Sequence, residues 1–353
     1  VKVSSKTVYN SLEKIFQESP SELLTEKSKW VIFSDLHMGD GGSTDDFKAN
    51  SALFSDVLSK YYLNQKYGLF LNGDVEELQR FSLKSIIKHW TGVYQIFDRF
   101  DQETRLIKTI GNHDLELQNI HHLPYSYFIT EGFRFTYGAD DIFLFHGHQA
   151  SKKYQRHNKL IGFTLKYFAN PLGIKSYSVS HDSKKQYNIE KRVYHFAAFH
   201  KRISIIGHTH RPLFESLHKV ERLKNTIEQL CRVYADGNHD EEIQEAIRLN
   251  KKELRSYYKQ NEDHNYQNYV YNTIFHIPCV FNSGTVVGKR GMTCIEIADG
   301  KIRLVHWFDK NISPKYLLRT GYTPEELPGT DFYRMVINEE TLEYIFTRIK
   351  FLA

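Results

Sequence analysis

Apolar residues along this chain follow two rhythms. Some stand three and four apart, the spacing of one helix face, while others bunch into runs of four or five, too short for a helix. Val8, Leu12, Ile15 and Phe16 have the first spacing and stop at Ser19-Pro20, which predicts a short leading amphipathic helix. Trp30-Val31-Ile32-Phe33 has the second and predicts a buried strand. The next helix carries Phe54, Val57, Leu58 and Tyr61 on one face, with Thr44 placed to cap it. Residues 67–71 read as a strand, and Ile86, Trp90, Val93, Phe97 and Phe100 as the face of a helix. Leu106-Ile107 leads a third strand, and 133–137, 142–145 and 203–206 are further ones. Residues 293–297 and 301–305, joined across Asp299-Gly300, predict a hairpin in a second sheet.

Strand and helix alternate, the α/β pattern, and such sheets gather ligands beyond the carboxyl ends of their strands. Five of the apolar runs end in clusters of Asp, Asn and His: Asp35-Leu36-His37, Gly73-Asp74, Gly111-Asn112-His113-Asp114, His146-Gly147-His148 and Gly207-His208-Thr209-His210. Carboxylate and amide oxygens and imidazole nitrogens are ligands for manganese, iron or zinc. Asp35, His37, Asp74, Asn112, His146, His208 and His210 make seven candidates, too many for one tetrahedral site but suited to two metals sharing a carboxylate. Asp74 is the best candidate for the shared one, since each of its two oxygens can take one ion. Side chains two apart at a strand end lie on the same side, which pairs Asp35 with His37 and His208 with His210. Two divalent ions about 3.5–4 Å apart are a recurring device for hydrolysing phosphate esters.

These five motifs, in this order, resemble those of the calcineurin-like metallophosphoesterase superfamily over residues 28–212, with a later strand region at 279–308. The resemblance implies a four-layer α/β/β/α sandwich carrying helical insertions. It implies that Asp74 bridges both ions, that Asp35, His37 and His210 complete one, and that Asn112, His146 and His208 complete the other. It also implies that His113 sits over the substrate and protonates the leaving oxygen, with Asp114 on its other ring nitrogen. A hydroxide shared by the two cations would then attack phosphorus in line. Glu76 or Glu77 is expected to support the Asp74 loop, His148 to stand beside the ligands, and Asn282-Ser283-Gly284 to shape the floor. Within the superfamily the basic, apolar-studded segment is similar to that of the UDP-2,3-diacylglucosamine pyrophosphatase subgroup, which typically has Arg where this chain has His113.

Composition narrows the setting. With 353 residues, 41% hydrophobic, the chain is read as one domain over 1–353. Cys231, Cys279 and Cys294 are odd in number and scattered, which argues against a disulfide framework and for a reducing, cytoplasmic setting. No run reaches the roughly 18–20 apolar residues of a membrane span. A leader preceding Val1 is left open.

Residues 151–202 hold twelve Lys or Arg against Asp182 and Glu190, interleaved with Phe163, Tyr167 and Phe168. They are expected to form a basic lid in which Arg156 and Lys159 meet the substrate, a phosphorylated small molecule or a lipid-linked phosphate approached by peripheral membrane contact. Residues 214–272 are expected as a helical insertion and 309–353 as a C-terminal extension. Gly237-Asn238-His239-Asp240 repeats an earlier motif but lacks a buried strand before it, so it is read as a helix cap. A nuclease acting on a polyanion is the alternative, as is a UDP-sugar or lipid pyrophosphatase. A scaffold that had lost catalysis would have lost ligands or His113, and none is missing.

Overall fold

Trp30–Phe33 (β2) has no polar residue, and both its faces are buried. Successive side chains of a strand point to opposite faces. Trp30 and Ile32 accordingly pack with Phe133, Phe135, Ile142 and Ile205, whereas Val31 and Phe33 pack with Phe54, Leu58, Phe97 and Phe100. This strand therefore marks a division between two apolar cores, one on each of its faces.

The computed structural model describes residues 3–120, 127–151, 183–216, 219–235, 241–260, 276–319 and 321–353. It is a mixed α/β structure with two mixed sheets. The larger has the order β12-β13-β11-β10-β2-β3-β4-β5, and the smaller β1-β6-β7-β8-β9. In the larger, β2 is followed by β3 (Gly68–Asn72), β4 (Leu106–Thr109) and β5 (Phe128–Thr130), all parallel. β10 (Met292–Ala298), β11 (Lys301–Asp309), β12 (Glu325–Glu326) and β13 (Phe332–Thr341) extend it in antiparallel fashion. The smaller sheet holds β1 (Ser21–Leu23), β6 (Gly132–Tyr137), β7 (Asp140–Phe145), β8 (Ile203–Ile206) and β9 (Val280–Asn282).

The leading helix, α1 (Val3–Glu18), buries Val8, Leu12, Ile15 and Phe16, as their spacing requires. Thr44 caps nothing: a 3₁₀ turn at Phe47–Asn50 intervenes, and α2 (Ser51–Asp56) starts later. The apolar face from Ile86 to Phe100 is split between α3 (Leu83–His89) and α4 (Thr91–Glu103). The break falls at Trp90, whose indole N–H donates to Gly39 O and Asp45 Oδ2, both at 3.0 Å.

Three expectations about architecture change. The β10–β11 hairpin turns at Asp299-Gly300 as expected, but β10 pairs with β2, so it belongs to the same sheet as the first strands. Residues 309–353 include β13, which pairs along β11, and α8 (Leu342–Leu352), which buries Leu342, Ile345 and Ile349 in the core. They are built into the fold rather than appended to it. The end of the basic segment forms α5 (Ser183–Phe199), the crossover between parallel strands β7 and β8. It buries Ile189, Val193, Tyr194 and Phe196, so this part is core, while 152–182, with Arg156, Lys159 and Phe163, lies outside the described residues. Within the expected 214–272 insertion, Lys219–Ala235 forms α6 and Glu241–Gln260 forms α7. The 237–240 string also lies outside the described residues.

Candidate metal centre

Each cluster of candidate ligands sits where a strand stops, and in three of the five the backbone turns left-handed at the candidate itself. Asp35, His37, Asp74, His208 and His210 all have φ between 48° and 64°, the left-handed region. They are half of the ten such non-glycine residues among those described. That region is uncommon outside glycine, most tolerated by Asn, Asp and His, and costs of order 1–3 kcal/mol per residue. Close approach is also required at Gly111, where any Cβ would collide with the Asp74 carboxylate and backbone.

The two sheets meet at Asp35. Its Oδ2 accepts from Ser34 Oγ at 2.5 Å and from the His208 backbone N–H at 3.0 Å, joining the end of β2 to the end of β8. Oδ1 faces inward, 3.0 Å from His210 Nε2 and 3.9 Å from both His37 Nε2 and His146 Nε2. Asp74 is divided similarly. Oδ1 accepts the His113 backbone N–H at 2.8 Å, and Oδ2 lies 3.0 Å from His146 Nε2. Asp74 Oδ1 thus gives one lone pair to the backbone, and Oδ2 is the oxygen turned toward the imidazoles.

Ligand atoms fall into overlapping groups. Asp35, His37 and His210 form one, Asp74, His146 and His208 a second, and His37, Asp74 and His113 a third, each with its atoms within 4.8 Å of one another. Asn112 Oδ1 and His208 Nε2 are buried with no hydrogen-bond partner. A buried polar atom left unpaired is costly, and a cation would satisfy both. Electrostatics agree. Burial pushes the His208 imidazole down to about 3, the neutral form a metal needs. Burial opposes charge on His146 too, yet Asp74 and Asp35 outweigh it and raise that imidazole to about 9. For Asp35, burial is outweighed by His210 and His146, which bring the carboxyl down to about 2. The carboxylates thus favour positive charge at their centre, and this oxygen and nitrogen donor set fits divalent metal ions.

His113 stands beside this group, its Nε2 4.0 Å from Asp74 Oδ2. Its Nδ1 meets Glu77 Oε1 at 2.7 Å, and the other Glu77 oxygen meets His37 Nδ1 at 3.0 Å. Against burial, Glu77 and then Asp74 raise His113 to about 10. The expected partner, Asp114, is occupied elsewhere: it accepts the backbone N–H of Gly111 at 2.5 Å and of Val75 at 2.9 Å. Asp114 thus pins two ligand loops together, and Glu77 is the residue that holds the His113 ring. The sequence expectation was loop support from Glu76 or Glu77; the spacing of Glu77 three after Asp74 is the signal that bears on its role. Glu76 is buried against Lys108, itself 3.8 Å from Asp114 Oδ2, and accepts the Tyr94 hydroxyl at 2.8 Å. His148 lies beside the ligands, 5.5 Å from His146 and 6.2 Å from His208 between ring centroids. Asn282 donates to Gly207 O at 3.0 Å and Thr209 Oγ1 at 2.9 Å, and Ser283 Oγ is 2.7 Å from Ser34 Oγ, so this turn braces the centre from below.

No protein-family model matches the chain, and no curated protein matches it. Among solved structures it is similar to a conserved uncharacterized protein from Streptococcus pneumoniae TIGR4, described as a predicted phosphoesterase. The two share 12% identity and a TM-score of 0.31, over 82% of this chain and 94% of that one.

Proposed function

We propose that this chain is a metal-dependent phosphoesterase of the calcineurin-like kind, with an α/β/β/α layering and a dinuclear centre that hydrolyses phosphate mono- or diesters. The observation that carries the reading is the pair of adjoining ligand groups, Asp35–His37–His210 and Asp74–His146–His208, with the unpaired Asn112 Oδ1 and His208 Nε2 beside them. The first group would hold one ion and the second, with Asn112, the other. Asp74 lies between them. Ions bound there would neutralise charge on phosphoryl oxygens and acidify the attacking water.

The remaining chemistry belongs to the chain itself. Glu77 holds His113 through Nδ1, so Nε2 is the atom turned toward Asp74 and the ligand group. Held by Glu77, His113 pairs with a phosphate oxygen and passes the Nε2 proton to the departing alkoxide. A hydrolysis screen tests the reading: aryl phosphate, bis-aryl phosphate and a nucleotide pyrophosphate, each with added manganese and with chelator. Chelator-sensitive turnover of at least one ester is expected. Turnover that ignores the chelator, or none with any substrate and metal, would reject it.

A further inference from the structure

The rim of the larger sheet carries a surface that the hydrolase reading does not use. β10 runs antiparallel to β2, with Ile295 opposite Ile32, and β11 runs back again, with Trp307 opposite Met292. The start of β10 and the end of β11 therefore lie on the same edge as Asp35. The segment after Asp309 leaves from that edge, two strands or about 10 Å from β2. The loop before β10 is anchored there as well: Thr285 Oγ1 donates to Asp35 O at 3.0 Å.

Two large aliphatic side chains stand out of this edge, Leu318 at 86% exposure and Ile312 at 61%. Around them are exposed Lys289, Arg290 and Lys315, none of which has an acidic ion-pair partner among the described residues. Nearby Lys310 and Arg319 do have partners, Asp331 and Glu253. The His306 ring ties the two loops together. It meets Arg290 O at 3.1 Å through Nε2 and packs edge-on against Tyr316 at 4.7 Å. Its contacts hold the backbone of Arg290 against the turn that carries Lys315. Burial, then Arg290 and Arg319, hold the Lys315 ammonium below its usual range, consistent with cations crowded on one face. Isolated exposed hydrophobes are ordinary, but two beside uncompensated cations, at the edge that carries a candidate catalytic centre, fit a water–lipid boundary.

We infer that the rim formed by Ile312, Leu318, Lys289, Arg290 and Lys315 docks on an anionic bilayer surface. The aliphatic side chains enter the headgroup boundary while the cations face acidic lipid, so the Asp35 edge of the sheet is held near the membrane. Long-chain phosphoesters are the substrate class this placement favours, a corollary that rests on the proposed activity; the docking itself does not.

Vesicle co-sedimentation of the full chain tests docking without any turnover measurement. Vesicles containing phosphatidylglycerol should take up the protein about tenfold or more better than phosphatidylcholine alone at low salt, and less as salt rises. Lys315→Glu should reduce the anionic preference, and Ile312→Ser with Leu318→Ser should reduce uptake on anionic vesicles. All are exposed positions, so unchanged circular dichroism and melting temperature will show that the variants fold. Equal uptake on both lipids, no uptake, or binding undiminished by these substitutions would overturn the inference. So would heparin binding that equals vesicle binding and ignores the loss of Ile312 and Leu318, which would mark a polyanion site instead.

Discussion

The Thr209 hydroxyl donates to Glu190 Oε1 at 2.8 Å, fastening the middle of the Gly-His-Thr-His turn to the crossover helix α5. One turn earlier on that helix, Gln186 donates to Thr209 O at 2.9 Å. The two imidazoles of the turn are therefore aimed by a helix that contributes no ligand. Removing the carboxylate with Glu190→Ala should weaken metal binding about 10–100-fold, the usual cost of losing a residue that orients ligands. Glu190→Gln keeps an acceptor for Thr209 and should lose much less. Titration in chelator-buffered manganese checks both. Equal losses would assign the effect to the Glu190–Arg211 charge pair, 3.6 Å apart, instead of to Thr209.

Asp74 joins the second and third ligand groups and also accepts the His113 amide. Elemental analysis of the purified protein should approach two transition metals per chain. Asp74→Ala should lose both. Retention of both at full occupancy would end the dinuclear assignment.

His113→Ala should keep its metal yet lose roughly 10²–10⁴-fold in kcat on alkyl phosphates, the contribution of a positioned proton donor. On an aryl phosphate, whose leaving oxygen needs little protonation, the loss should shrink. A loss of the same size on both substrates would mean that His113 binds phosphate rather than donating a proton.

Glu77 is placed to tune the proposed donor. Its charge favours protonated His113, and a proton donor is lost as pH rises through its pKa. Glu77→Gln should therefore move the alkaline limb of the kcat profile to lower pH by about 1–3 pH units, the scale of one neighbouring charge. A limb that stays in place would show that some other group sets it.

Lys108 is fully buried against Glu76, with Asp114 behind it. Lys108→Met should cost about 3–5 kcal/mol of stability by leaving buried carboxylates without their cation. Adding Glu76→Gln should restore part of that loss. Denaturant unfolding of the single and double variants measures the difference; additive losses would deny the coupling.

What could be read in advance follows from what a local pattern encodes. Four apolar residues at Trp30–Phe33 and the Asp and His directly after them specify a buried strand and a polar end, so the strand and the cluster that follows it were legible. Partner choice was not. Asp114 adjoins His113 in sequence, but the turn after β4 points its carboxylate at the amides of Gly111 and Val75 and leaves the ring to Glu77. β13 was hidden for another reason. It lies next to the sheet edge, covered only by the two residues of β12, and its half-buried run from Phe332 to Thr341 lacks the continuous apolar signature of a central strand. In α5 the density of lysines and arginines masked the spacing of Ile189, Val193 and Phe196.

The left-handed backbone at Asp35, His37, Asp74, His208 and His210 has a consequence for descent as well as for chemistry. Asn, Asp and His tolerate that conformation best after glycine, whereas β-branched residues are forced into strain. Selection for metal binding and selection for the turn thus draw on nearly the same small alphabet. A relative that had abandoned catalysis would still be pressed toward Asn, Asp, His or Gly at these five places. Its sequence would go on resembling an enzyme's long after the activity had lapsed, and the diagnostic losses would come first at Asn112, His113 and Glu77, where the backbone makes no such demand.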